Sequence, residues 1–129
     1  MCKDFKKRIE EIINQYPTTI INFFTKPMKW LPTKIEYYSC YNQCTYFPKG
    51  ISKKIHDTIE KFNFLGYSQE FMLRRSLYRM KTKVLTYRPC LVQHIDNGSL
   101  MGKYVSFCRR TPYFIDYLDE LGITYDEAK

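Results

Sequence analysis

Apolar residues at helical spacing alternate along the chain with short β-branched and aromatic runs, and this interleaving confines the fold to a sheet with helices packed against it. The first helical segment is KDFKKRIEEIINQYP, where Phe5, Ile9, Ile12, Ile13 and Tyr16 form one face and Pro17 supplies the stop. IINFF at 20–24 is of strand length. TKPMKWLPTK, with Pro27 and Pro32 around Trp30, reads as a loop, followed by strands at 36–41 and 44–47 and a turn at Pro48-Lys49-Gly50.

A second helix is expected from Ile51 or Ser52 to Phe62, with Ile51, Ile55, Ile59 and Phe62 on one face and His56 beside them in a structural role. Ser68 is the N-cap expected for SQEFMLRRSLYRM, a helix that turns Met72, Leu73, Leu77 and Met80 inward, the methionines as core filler. Residues 84–87 and 91–94 are strand-like, separated by Pro89, and Asn97-Gly98 marks a turn. The last helix takes Thr111 as N-cap, Pro112 as its first residue and Gly122 just past its end, with Phe114, Ile115, Leu118 and Leu121 facing the core. The sum is α/β (mixed α+β), about four helices on a small mixed sheet of four or five short strands, in a single domain spanning 1–129.

With 44% hydrophobic and 17% aromatic residues the chain has ample surface to bury. The 21 Lys and Arg against 13 Asp and Glu leave a charge of +8, which favours phosphates, nucleic acid or acidic protein surfaces as partners. No run approaches the roughly 18 apolar residues of a membrane span. The opening MCKDFKKRIEE also lacks the apolar stretch of a signal peptide, so a cytoplasmic location is expected. The five cysteines, Cys2, Cys40, Cys44, Cys90 and Cys108, then read as reduced thiols in apolar strands. Cys40 and Cys44 with His56 or His94 lack a second ligand pair, so no structural zinc is expected.

The chemistry concentrates in PCLVQHIDNGSLMG at 89–102, where an apolar strand delivers Gln93 and His94 into a polar turn. His94 offers a neutral nitrogen to a metal or a charged donor to a phosphate, and Asn97, Gly98 and Ser99 expose amides and a hydroxyl that suit an anion. On the residues alone a second reading stands beside this one: a strand end and a tight turn whose polar groups satisfy the backbone. A basic series, Arg74, Arg75, Arg79, Lys81, Lys83 and Arg88, with Tyr78 and Tyr87 interleaved, has the composition of a nucleic-acid face. No recognised nucleic-acid motif accompanies it, and a solvated helix surface is the reading preferred.

The 89–102 string resembles the P-x-LVQHI-x-x-x-S-x-x-G segment near the C-terminal end of a group of phage, viral and bacterial glycosyltransferases with a GT-A-like fold. Three less specific stretches fall in the order of that family: IINQYPTTIINFF, YNQCTYFPKGISKKIHDTI and YSQEFMLRRSLYRMKTKVLTYRPC. The resemblance implies the acceptor-side, C-terminal half of such a fold, preceded in the family by a donor-binding half whose Asp-x-Asp motif has no counterpart here. It implies that His94 helps hold a Mn or Mg ion on the donor diphosphate, that Gln93 supports it and that Ser99 lies near the phosphates. Glu70 falls where the family carries a carboxylate pair acting on the acceptor hydroxyl, although here the pair is Gln69-Glu70.

The expected function is therefore a glycosyltransferase-related protein, incomplete as a stand-alone enzyme, that retains binding of a nucleotide-sugar, another polar small molecule or an acceptor. The alternative is a non-enzymatic viral or phage module that reuses the fold to bind a host protein, a small nucleotide or nucleic acid. Sheet edges exposed by a missing half also make a homodimer an expectation.

Overall fold

The computed structural model describes residues 1–24, 31–37, 44–92 and 113–129. Within them are four helices, α1 (Phe5–Gln15), α2 (Ile51–Lys61), α3 (Gln69–Arg79) and α4 (Ile115–Leu121), and four strands, β1 (Ile20–Asn22), β2 (Lys34–Tyr37), β3 (Thr45–Tyr46) and β4 (Lys83–Thr86). The strands form one mixed sheet in the order β2-β4-β1-β3. The central pair, β1 and β4, is parallel with Ile20 opposite Val84 and Asn22 opposite Thr86, and the two outer pairs are antiparallel.

The alternation of side chains along β1 and β4 assigns the helices to opposite faces. Ile21, Phe23 and Leu85 point into a core shared with Ile12, Phe114 and Leu91, against which Phe5, Ile9 and Ile13 of α1 pack. Ile20 and Val84 point the other way, onto Leu73 and Leu77 of α3, with Phe47, Ile51 and Ile55 alongside. Charged α1 and short α4 are stapled together: Arg8 Nη2 lies 2.7 Å from Asp119 Oδ2, and the Lys3 amide donates to the Asp116 carboxylate. The Cys2 amide donates to Leu91 O at 3.0 Å, which ties the N-terminus to the segment after β4.

Mixed α/β architecture with four helices agrees with the sequence expectation, and several ends agree closely. Ser68 is the N-cap of α3, its hydroxyl accepting from the Phe71 amide at 3.3 Å. Gly122, at φ 68°, ends α4 with the Ile123 amide donating to Leu118 O, the bond pattern that a left-handed residue makes possible. Other positions differ. β2 starts at Lys34, earlier than expected, because Lys34 and Ile35 pair with Thr86 and Leu85.

The start expected for α4 is displaced. Thr111 and Pro112 lie outside the described residues, and the helix begins at Ile115 behind an extended Phe114. The backbone of Phe114 is taken up by a parallel bridge to Cys90, in which Cys90 N–H donates to Tyr113 O and Ile115 N–H to Cys90 O. Leu91 and Val92, expected to open a strand, have no ladder beyond that bridge among the described residues. Leu121 is 70% exposed and Phe62 38%, so the outer ends of their stripes lie outside the core. Cys2 and Cys90 are buried free thiols and Cys44 is half-buried, and burial pushes the Cys2 and Cys44 thiols up. Cys2 sits ahead of α1 and not in a strand.

α3 ends in the same bond pattern as α4, but with a side chain where glycine is preferred. Lys81 sits at φ 52°, its amide donating to Tyr78 O and that of Thr82 to Leu77 O. A left-handed non-glycine residue carries a steric penalty that glycine lacks. Lys81→Gly is therefore expected to stabilise the fold by about 0.5–1 kcal/mol, read as a higher urea midpoint at unchanged m.

Candidate functional site

The parallel pair defines one end of the sheet. In open α/β sheets, ligands bind beyond the carboxyl ends of parallel strands, where the chain leaves the ladder and backbone groups become available. At that end of β1 and β4 the Tyr87 amide donates to Asn22 O, and the Leu91 amide to Phe23 O at 3.2 Å. Leu91 therefore lies beside the end of β1, two residues before Gln93.

Three polar residues are buried here. Asn22 is 1% exposed, Thr86 2% and Arg88 8%. Asn22 Oδ1 accepts from the Phe24 amide at 2.9 Å, while Asn22 Nδ2 has no hydrogen-bond partner among the described residues. Arg88 Nη1 donates to Pro32 O at 2.6 Å, while among the described residues Arg88 Nε has no partner and no carboxylate pairs with this guanidinium. A buried charge without a counter-charge is strongly unfavourable, so such a group is a marker for an anion.

The surroundings of Arg88 are assembled from distant parts of the chain. The Thr33 hydroxyl donates to Arg88 O at 2.8 Å and accepts from the Arg88 amide at 3.0 Å. The Tyr125 hydroxyl donates to Leu31 O, and its ring meets Tyr113 edge-on at 5.8 Å. Burial pushes the Tyr125 phenol up, opposed by the bond to Leu31 and by the nearby Arg88 charge. The Arg88–Pro89 peptide is cis.

Elsewhere, an open groove of about 340 Å³ lies between α2 and α3. Ile55, Ile59, Met72, Leu73 and Phe47 make its apolar floor, and Ser52, His56 and Gln69 its polar rim. Met72, expected as core filler, is half-buried, lines this cleft and belongs to neither buried cluster. His56 is 68% exposed, with Nε2 at 3.7 Å from Glu60 Oε1 and Nδ1 at 3.8 Å from Asp57 Oδ1, so it is a surface residue and not a core one. The hydrogen bond from Lys53, at 2.9 Å, is the foremost cause holding the Asp57 carboxyl below its usual range.

Of the sequence-derived site residues, Glu70 stands in the first turn of α3 and is exposed. Its neighbour Gln69 lines the groove and Glu70 does not. Gln93, His94, Asn97, Gly98 and Ser99 lie outside the described residues. Among the described residues no group of three or more His, Cys, Asp or Glu side chains is placed to hold a metal ion, so these residues do not fit a Mn or Mg seat and no chemical step is derived through one. No helix among them is long and apolar enough to cross a membrane. Arg88 corrects an expectation: the basic series is read from the sequence as a solvated helix surface, but Arg88 follows β4 and is buried because residues 31–33 cover it, whereas Asn22, a single amide inside the apolar run IINFF, is not singled out by the sequence.

No family model, curated protein or solved structure matches this chain.

Proposed function

We propose that this chain is the acceptor-side unit of a GT-A-like glycosyltransferase, retaining a site for a nucleotide-sugar or a similar anionic small molecule, with the donor-binding half supplied from outside these residues. The observation that carries this reading is the pair of buried nitrogens, Asn22 Nδ2 and Arg88 Nε, left without partners among the described residues at the carboxyl end of the parallel strands. A diphosphate or carboxylate would supply the acceptor oxygens and the counter-charge that the described residues do not give Arg88. The segment that resembles the family leads away from the same place, through Leu91.

The α2–α3 groove supports the acceptor side of the reading. Its apolar floor suits the C–H face of a sugar ring, and Gln69, His56 and Ser52 are rim groups able to hydrogen-bond hydroxyls. Glu70, next to Gln69, is the base that the reading assigns, acting on an acceptor hydroxyl held at the mouth of the groove.

Calorimetry of the full chain with UDP-, GDP- and CDP-sugars in the presence of manganese tests the proposal. Heat of binding is expected from at least one of them. Arg88→Met is then expected to weaken that ligand by about tenfold to a hundredfold, the worth of a charge-assisted hydrogen bond. An absence of heat from every donor, or an affinity unchanged in a folded Arg88→Met variant, would overturn it.

A further inference from the structure

The solvent face of α3 carries a feature separate from the Arg88 site and from the α2–α3 groove. Phe71, Arg75, Tyr78 and Arg79 recur at i, i+4, i+7 and i+8 on one face of the helix, with Arg74 on its flank one turn from Glu70. From Phe71 to Arg79 the strip extends for roughly 12 Å along the helix. Its cations are layered onto rings: the Arg75 guanidinium lies 5.2 Å from the Phe71 centroid, and that of Arg79 lies 4.8 Å from Phe62 across the α2–α3 hairpin. Tyr67 stacks on the opposite end of the same cluster, 4.6 Å from Phe71.

These groups are open to solvent. Tyr67 is 57% exposed, Tyr78 49% and Phe62 38%. Neither Arg75 nor Arg79 forms an ion pair with a carboxylate among the described residues. Lys61 adds a further cation, 5.6 Å from the Phe62 centroid.

The geometry points to a binding strip for single-stranded nucleic acid along α3, with Tyr67 and the guanidinium planes of Arg75 and Arg79 as stacking platforms and the same arginines neutralising phosphates. Alternation of flat π surfaces with unpaired cations is what an unstacked strand requires, because each base offers a π face and each linkage one negative charge. An anionic membrane is the less suitable partner. Here the guanidinium groups lie over the rings, so inserting the rings among acyl chains would carry the charges in with them. Duplex nucleic acid hides its base faces and would engage the phosphate contacts alone.

Fluorescence anisotropy with a labelled oligo-uridine and an oligo-thymidine of equal length tests the assignment on the full chain. Binding is expected at ~50 mM salt, weakening towards ~200 mM with a log–log slope of roughly −1.4 to −2, the value for two to three phosphates on a single strand. Arg75→Gln with Arg79→Gln should weaken binding at least tenfold and flatten that slope. Tyr67→Ala should weaken it about 5- to 100-fold at unchanged slope, the signature of lost stacking. All three side chains are at the surface, so circular dichroism should report an intact fold. No anisotropy change at low salt would overturn the proposal, as would equal affinity for a duplex of the same length. Sedimentation with phosphatidylserine vesicles in the absence of oligonucleotide binding would also overturn it and assign the strip to lipid.

Discussion

Phe23→Ala should destabilise the protein by about 3–5 kcal/mol, the range for deleting a large aromatic side chain from a packed core. Phe23 is 2% exposed and sits where the most constraints meet. Its ring is 6.3 Å from that of Tyr87 and packs into the core that joins α1, β1, β4 and Phe114. Its backbone holds two other segments, since its amide donates to Cys44 O at 2.9 Å and its carbonyl accepts from the Leu91 amide. The alanine variant retains those bonds but removes the packing that presses the segments together, so its neighbours close only part of the cavity. Against a total stability of roughly 5–15 kcal/mol, the loss is a large fraction, and urea unfolding should show a lower midpoint at unchanged m. Phe23→Leu, which refills most of the volume, should lose less than about 1.5 kcal/mol. A loss below ~1 kcal/mol for the alanine variant would mean that this core is not packed around Phe23.

The elements around Phe23 were legible because each is written in local pattern. Phe5, Ile9, Ile12 and Ile13 announce α1 by spacing, and Ser68 and Gly122 mark ends through short-range chemistry that no tertiary contact overrides. The errors occur where a long-range contact claims the backbone. Phe114 has helix-compatible neighbours, yet its bridge to Cys90, far away in sequence, holds it extended and delays α4 to Ile115. The same limit hides the candidate site. Arg88 is buried because residues 31–33 fold back across it from 55 positions away, and an arginine between Tyr87 and Pro89 gives no local sign of that. On α3 the pairing of Arg75 with Phe71 is readable from i, i+4 spacing, whereas that of Arg79 with Phe62 requires the hairpin to have closed.

The two faces of the sheet are unequally secured, and this bears on function. The face with α1 and α4 is fixed by a broad buried cluster and by the Arg8–Asp119 and Lys3–Asp116 contacts. Among the described residues, the face with α2 and α3 rests on the buried cluster of Ile20, Leu73, Leu77 and Val84, and α2 itself buries no residue fully. Both concave and basic features, the groove rimmed by Gln69 and the strip carrying Arg75 and Arg79, belong to this lighter layer. Binding surfaces are commonly drawn from the less stable parts of a fold, where few buried contacts resist adjustment.

Leu77 is the residue on which that layer depends most directly. It is fully buried against the sheet, and its carbonyl accepts the Thr82 amide that terminates α3. Leu77→Ala should lose about 2–5 kcal/mol, as for other buried leucines, whereas Leu77→Met should lose less than about 1.5 kcal/mol because volume is kept. The distribution of the loss is the sharper test. Leu73 is the other buried apolar side chain of α3, so the cavity should release α2 and α3 together, since among the described residues α2 reaches the sheet through half-buried Ile51 and Ile55. Native-state hydrogen exchange should then show α2 and α3 amides losing protection as one unit while β1, β4 and α1 exchange more slowly. If α2 kept its protection in Leu77→Ala, α2 would have to be held by contacts other than this core, and the groove between the helices would be a rigid site and not an adjustable one.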